Sequence, residues 1–89
     1  MHQVHLVASG LVQGVFYRAS CKEVAVKLDL KGWVRNLPSG EVEILAQGER
    51  EKLEQLIEWC RKGPPHAKIT NIAVNWQDKT EDFTIFKIV

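Results

Sequence analysis

A repeated change between two hydrophobic periods constrains the fold of this chain more than any other feature of its sequence. Val4, Leu6 and Ala8 share one face of an extended segment, which is typical of a half-buried strand. In residues 17–28 the apolar side chains instead recur every three or four positions, which predicts an amphipathic helix. Both patterns then return, so strands and helices are expected to alternate along the chain.

Turn-forming and helix-stopping residues divide the remainder of the sequence. Pro38-Ser39-Gly40 separates two short strand patterns and predicts a hairpin between them. A second helical pattern begins after Gly48, and Gly63-Pro64-Pro65 ends it. The predicted strands are residues 3–9, 33–37, 41–47, 69–76 and 83–89, with a polar connection over residues 77–82.

This order of elements, βαββαβ with an additional C-terminal strand, is that of the ferredoxin-like α+β fold. Right-handed crossovers place both helices on one face of an antiparallel sheet. With 89 residues, the chain is expected to form a single domain over residues 1–89. Because this fold carries many unrelated functions, the function has to be argued from a site.

The charge balance excludes two classes of partner. Lys and Arg number 12 and Asp and Glu number 11, so the formal net charge is +1. Binding to nucleic acid or to a membrane surface depends on a basic excess, so neither partner is expected. No apolar run approaches the ~20 residues of a membrane span. We therefore expect a soluble, cytoplasmic protein that is a monomer.

The cysteines and histidines do not have metal-binding spacings. Cys21 and Cys60 are 39 positions apart, and His2, His5 and His66 lack the helical spacing of a zinc motif. No metal and no cofactor are expected, and the two thiols are predicted to be buried and free. A disulfide between them is compatible with their helical positions but is not expected in cytosol. The three tryptophans are expected to be partial core, and Lys31 and Arg35 to be solvated charges.

Two sequence features are predicted to meet at one edge of the sheet. In this topology the first two strands run in the same direction on either side of the third, about 10 Å apart. The loop from Gly10 to Phe16 follows the first strand and leads into a helix that carries Arg18. Asn36 lies near the end of the second strand. The gap between them suits a phosphate-sized group and a water molecule.

The glycine-containing loop has two interpretations. Free backbone amides at the positive end of a helix dipole, beside an arginine, form a binding site for phosphate or carboxylate. Alternatively, the loop is a plain connection, with glycines for the bend and an arginine on a solvated face. Short glycine loops are common, so spacing alone favours the plain connection.

Known phosphate chemistries leave few enzymatic options. The chain has no nucleotide-binding P-loop, no cysteine-phosphatase loop, no aspartate nucleophile pair and no carboxylate cluster for Mg²⁺. A chain of this kind that handles phosphate either binds it or breaks a phosphate bond that is easily broken.

At this point the residues resemble a known family. Residues 10–18 (GLVQGVFYR) are similar to the first signature of the acylphosphatases, and residues 32–36 (GWVRN) to their second. Residues 63–65 and 82–85 also resemble the family, so the likeness spans nearly the whole chain. Tyr17 departs from the family pattern, in which phenylalanine is usual, and its hydroxyl needs a hydrogen-bond partner.

The resemblance implies hydrolysis of the carboxyl-phosphate bond of acyl phosphates, a small-molecule substrate class, without a metal. It implies that Arg18 and the loop amides grip the phosphate and that Asn36 positions the attacking water. The amides expected to bind phosphate are those of Gln13, Gly14, Val15, Phe16 and Tyr17.

Three other interpretations remain open. One is a non-catalytic ferredoxin-like module that binds an anion or another small molecule through Arg18 and Asn36. Another is an RNA-recognition module, but the residues after Lys31-Gly32-Trp33 lack the spaced aromatics that stack on bases. The third is the acylphosphatase-like domain of a larger maturation protein that handles carbamoyl phosphate; the end of the chain after the fifth strand is expected to argue against it.

Overall fold

The computed structural model describes residues 1–79 and 81–89. Of the polar connection predicted over residues 77–82, Thr80 lies outside the described part. The elements are β1 (His2–Leu11), α1 (Tyr17–Lys27), β2 (Lys31–Asn36), β3 (Val42–Gly48), α2 (Arg50–Lys62), β4 (Lys68–Gln77) and β5 (Phe86–Ile88).

The strands form one sheet in the order β4-β1-β3-β2-β5, and both helices pack on one face of it. The predicted ferredoxin-like α+β class is therefore confirmed. The prediction of an antiparallel sheet holds for the first four strands, but β5 pairs in parallel with β2, so the sheet is mixed. The reason is topological: β4 runs opposite to β1 and β2, and a strand that reverses after β4 lies parallel to β2.

The fifth strand is shorter than the predicted residues 83–89. On the helix-free face of the sheet, the Gln47 side chain binds the chain that precedes β5 at Glu81 and Phe83. Gln47 Nε2 donates to the Glu81 carbonyl, and the Phe83 amide donates to Gln47 Oε1 at 3.2 Å. Phe83 is thus bonded to a side chain, and backbone bonding to β2 begins at Ile85, whose carbonyl accepts from the Gly32 amide at 2.9 Å.

The core lies between the sheet and the two helices. The alternation predicted for the first strand is confirmed, since Val4, Leu6 and Ala8 are fully buried on the helix-covered face. The apolar stripe of α2 meets them there through Leu53, Leu56 and Ile57. Burial of these apolar side chains is the main favourable term in holding the layers together.

Tyr17 joins the start of α1 to the end of α2. Its hydroxyl donates to the Cys60 carbonyl at 2.8 Å, and its ring lies 5.3 Å from that of Trp59. The partner that the sequence required for this hydroxyl is thus the backbone of α2. Burial, with Cys60 nearby, raises the pKa of Tyr17 well above its usual range.

The two thiols are buried and free, as predicted. A hydrogen bond with Cys60, together with burial, raises the pKa of the Cys21 thiol. Because the thiolate is the reactive form of cysteine, this environment keeps Cys21 chemically inert.

The helix-free face corrects one prediction. Trp59 and Trp76 pack against the core, but Trp33 does not, and the Arg35 guanidinium lies 5.0 Å from its ring centre. Arg35 is exposed, as predicted, and its Nε also donates to Glu43 Oε1 at 2.5 Å. Trp33 and Arg35 share a face because they are two positions apart in β2, whereas the contact with Glu43 follows from the register of β2 and β3.

Glu43 is the electrostatic centre of this helix-free face. His5 Nε2 lies 2.7 Å from Glu43 Oε2, on the side opposite to Arg35. Burial alone raises the pKa of Glu43, but the hydrogen bonds from His5 and Arg35 and the Arg35 charge outweigh it. The net result is a pKa below the ordinary value for glutamate.

No helix in the described residues is both long enough and apolar enough to span a membrane.

Candidate active site

The carboxyl ends of β1 and β2 meet at one edge of the sheet and border a cleft of about 320 Å³. Ligand pockets have volumes of roughly 300–1,000 Å³, so this cleft is at the small end of the range. Both sequence features predicted for this edge are present in it. The cleft is lined by Val12, Gln13, Gly14, Phe16, Tyr17, Arg18, Ala19, Asn36 and Ile88. Val15, whose amide was also predicted to bind phosphate, does not line it.

The loop leaves the sheet at a point that requires glycine. β1 pairs with β4 as far as Leu11, but the register shifts between Ser9 and Gly10. Gly10 has φ +113°, and a Cβ there would lie 2.1 Å from the Lys68 carbonyl oxygen. This close approach excludes a side chain at Gly10, and the register shift there comes just before the end of β1, where the loop that borders the cleft begins.

The loop amides carry no backbone partner. Among the described residues, no backbone carbonyl accepts a hydrogen bond from the amides of this loop. These are the amides of Gln13, Gly14, Val15, Phe16 and Tyr17. Gly14 at φ +75° and Phe16 at φ +65° place left-handed residues within this run. Successive amides around left-handed residues form anion-binding concavities, and the first amides of a helix add positive potential.

Arg18 lies in the first turn of α1, directly after these amides. No carboxylate in residues 1–79 or 81–89 forms an ion pair with it. The first turn of α1 also contains no acidic residue to neutralise the helix dipole. An arginine, a helix N-terminus and unpaired amides therefore add their positive potential in one place, which favours an anion.

Asn36 ends β2 and faces the same cleft. Its Oδ1 is shielded from solvent and has no hydrogen-bond partner among the described residues. Buried polar atoms are almost always hydrogen-bonded, so an oxygen without a partner in a residue that lines the cleft is an exception that marks Asn36 as a candidate functional residue.

Gln13 has a role that the sequence analysis missed. Its side-chain Nε2 donates to the carbonyls of Leu37 and Glu41, each at 2.9 Å. These two residues flank the turn between β2 and β3, which begins directly after Asn36. The side chain thereby ties the loop to the strand end that carries Asn36. Nothing in the sequence indicates this, because the contact joins segments more than 20 residues apart.

The lining residues include no histidine, lysine or carboxylate. His5 lies on the opposite face of the sheet with Glu43, and His66 is exposed in the connection after α2. In the described chain no three His, Cys, Asp or Glu side chains cluster as metal ligands do. The arrangement can thus hold an anion and orient a small polar molecule, but its side chains supply no general base.

Comparison with known proteins agrees with this geometry. The family model described as Acylphosphatase matches residues 4–88. A protein of Methylococcus capsulatus named Acylphosphatase is 47% identical over 89 residues, covering 100% of this chain and 97% of that protein.

Solved structures give the same result. The crystal structure of acylphosphatase from Bacillus subtilis superposes with a TM-score of 0.97 at 38% identity, covering 100% of this chain and 99% of that one. HypF of T. kodakarensis matches with a TM-score of 0.86 at 30% identity, but over only 12% of its own length. The match over nearly the full chain, in sequence and in structure, shows that this protein belongs to the acylphosphatase family.

Proposed function

We propose that this enzyme hydrolyses acyl phosphates through the loop amides, Arg18 and Asn36, without a metal or another cofactor. The reaction is R-CO-OPO₃²⁻ + H₂O → R-COO⁻ + H₂PO₄⁻, in which the bond between phosphorus and the carboxyl oxygen breaks. The observation that carries the proposal is the convergence of unpaired amides, an arginine without an acidic partner and an unpartnered asparagine oxygen in one small cleft.

The amides and Arg18 bind the phosphoryl group. Phosphoryl transfer places charge on the three equatorial oxygens, and catalysis consists mainly of positioning and of stabilising that charge. The fork of the Arg18 guanidinium matches two phosphate oxygens, while the amides of the loop donate to the remaining oxygen. These donors are held by the fold before substrate binds, so little reorganisation opposes the reaction.

Asn36 orients the attacking water. Its side-chain amide borders the cleft and hydrogen-bonds the water once it turns to bring a polar atom to the cleft surface, because Oδ1 itself is shielded from solvent. The proton of the water passes to an oxygen of the substrate phosphate. The absence of a base among the described lining residues supports this route.

The leaving group explains why an acid is not needed either. A carboxylate is a stable anion near neutral pH, because the pKa of its conjugate acid is about 4. The bond can therefore break without protonation of the leaving oxygen and without a metal to stabilise it.

The decisive experiment follows benzoyl phosphate hydrolysis by its ultraviolet change, in EDTA. It compares the wild type with Arg18→Ala, and uses Arg35→Ala as a matched control. Arg35 is an arginine on the opposite face of the sheet, paired with Glu43. We expect Arg18→Ala to lose ~10²-fold or more in rate, the cost of one preorganised donor, and Arg35→Ala to retain wild-type activity.

Three outcomes have different meanings. Turnover that collapses only in Arg18→Ala supports the mechanism, whereas equal losses in both arginine variants would refute the role of Arg18. No turnover by a folded wild type would favour the alternative of a binding module, to be tested by calorimetry with phosphate. The single domain, the cytoplasmic location and the monomeric state stay predictions.

A further inference from the structure

Phe16 is unusual for its position in the fold. It is 80% exposed, although large aromatic side chains seldom remain in solvent when a core is available. It also adopts the left-handed conformation, with φ +65°, at the N-cap of α1, where it makes no side-chain cap bond. Ser, Thr, Asp and Asn are preferred at such a cap, and bulky residues are disfavoured at positive φ. Neither helix stability nor core packing accounts for phenylalanine here.

Phe16 belongs to the candidate site. Phe16 lines the cleft, and its backbone amide belongs to the run of unpaired donors. Ile88, which is 40% exposed at the end of β5, lines the same cleft. The extra C-terminal strand thus contributes an apolar side chain to the site, because it pairs with β2 and places Ile88 beside Val34, two residues before Asn36.

The lining of the cleft therefore combines polar and apolar groups. The loop amides, Arg18 and Asn36 are polar, and Phe16 and Ile88 are apolar side chains that are exposed. Arg18 is the only charged side chain among the described residues that line the cleft. An acyl group that carries a second negative charge would find no further cation there.

We propose that Phe16 and Ile88 form the subsite for the acyl group and that they favour acyl phosphates with an uncharged, apolar or aromatic acyl group. This inference rests on the proposed function, because it places the phosphate on the backbone amides of residues 13–17, which form the amide cradle. The acyl carbon is joined to phosphorus through one oxygen, so a ring attached to it extends only a few bonds from the cradle. The Phe16 side chain also starts close to the bound phosphate, because the backbone amide of Phe16 is one of the donors proposed to bind it.

The test compares two substrates in each of three variants. Benzoyl phosphate and acetyl phosphate share the phosphate and differ in the size and polarisability of the acyl group. The ratio of their kcat/KM values is measured in the wild type, in Phe16→Ala, in Ile88→Thr and in the control Val26→Ala. Val26 is also an exposed apolar residue, at 57%, but it lies on α1 outside this cleft. Threonine keeps the β-branched shape at position 88, so the strand is retained.

Dividing the kcat/KM ratio of each variant by that of the wild type cancels the difference in intrinsic reactivity between the two substrates. We expect the benzoyl-to-acetyl ratio to fall roughly three- to tenfold in Phe16→Ala, as for loss of one partly exposed aromatic contact, and less in Ile88→Thr. The control should keep the wild-type ratio. Equal losses for both substrates, or an unchanged ratio in both variants, would overturn the proposal.

A binding measurement separates this proposal from the proposed function. Phenacylphosphonate and acetonylphosphonate carry a methylene group in place of the bridging oxygen, so they cannot be hydrolysed. Calorimetry should show that Phe16→Ala weakens the binding of phenacylphosphonate several-fold more than the binding of acetonylphosphonate or inorganic phosphate. If this pattern is found but the wild type shows no turnover, the subsite proposal stands and the catalytic proposal is refuted. Equal weakening in an active enzyme would refute the subsite alone.

Discussion

Replacing the Gln13 side chain is the strongest test of how the fold positions the candidate site. It donates to the carbonyls of Leu37 and Glu41, each at 2.9 Å, and so joins the phosphate loop to the end of β2. The variant Gln13→Met removes both donors and keeps a side chain of similar length. Gln55→Met, at an exposed position on α2, is the matched control.

The structure sets the size of the stability loss. Each hydrogen bond contributes about 0.5–1.5 kcal/mol net. Neither carbonyl is left without a donor, because Leu37 O also accepts from the Gly40 amide and Glu41 O from the Leu37 amide. We therefore expect a loss of about 1–2 kcal/mol, which lowers the Tm of a domain this size by about 4–16 °C.

The effect on catalysis should exceed the effect on folding. Without the tie, the amide cradle and Asn36 are free to move relative to each other, and a misplacement of about 1 Å can cost up to ~10²-fold in rate. We expect kcat for benzoyl phosphate to fall about tenfold, at a temperature where both variants remain folded by circular dichroism. A lower Tm with unchanged kcat would show that the tie is only structural, and it would refute the positioning argument.

Three further predictions concern Tyr17, Glu43 and Cys21. Tyr17→Phe removes the bond to the Cys60 carbonyl and should cost about 1–2 kcal/mol in urea unfolding; an unchanged midpoint would contradict that bond. The pKa of Glu43 is lowered by folding, so its stabilising effect is complete above the unfolded pKa of about 4.3 and is lost as the pH falls through the folded value. The Tm of the wild type should thus fall more between about pH 6 and about pH 3 than that of Glu43→Gln, and parallel curves would argue against this ion pair. Cys21 should resist alkylation in the folded protein and react fully in urea, and rapid labelling of the native chain would contradict its burial.

Local sequence patterns were sufficient for the elements and their order. The hydrophobic period distinguishes a strand from a helix within one or two turns of chain, and Pro38-Ser39-Gly40 and Gly63-Pro64-Pro65 interrupt it at the right places. The short fifth strand was predicted too long. Its first predicted residue, Phe83, donates to the Gln47 side chain instead of to β2, and that contact joins residues 36 positions apart.

The location of the candidate site followed from the topology and from the resemblance of two motifs. The loop, Arg18 and Asn36 were expected at one edge of the sheet, and the structure places them around one cleft. The roles of their side chains in catalysis stay proposals. The sequence carried no sign of the Gln13 tie or of Ile88 in the lining, because each depends on contacts between distant segments.

By itself, the sequence determined the periods, the turns, the buried faces and the two motifs, since these depend on interactions between residues close in the chain. The tertiary structure alone decided which groups meet: β5 beside β2, Ile88 and Phe16 in the lining of one cleft, Gln13 on the turn after Asn36, and Glu43 between His5 and Arg35. The physical reason is that strand register and the path of the crossing segments set these contacts. Both are properties of the whole packed chain, and a short stretch of sequence does not encode either of them.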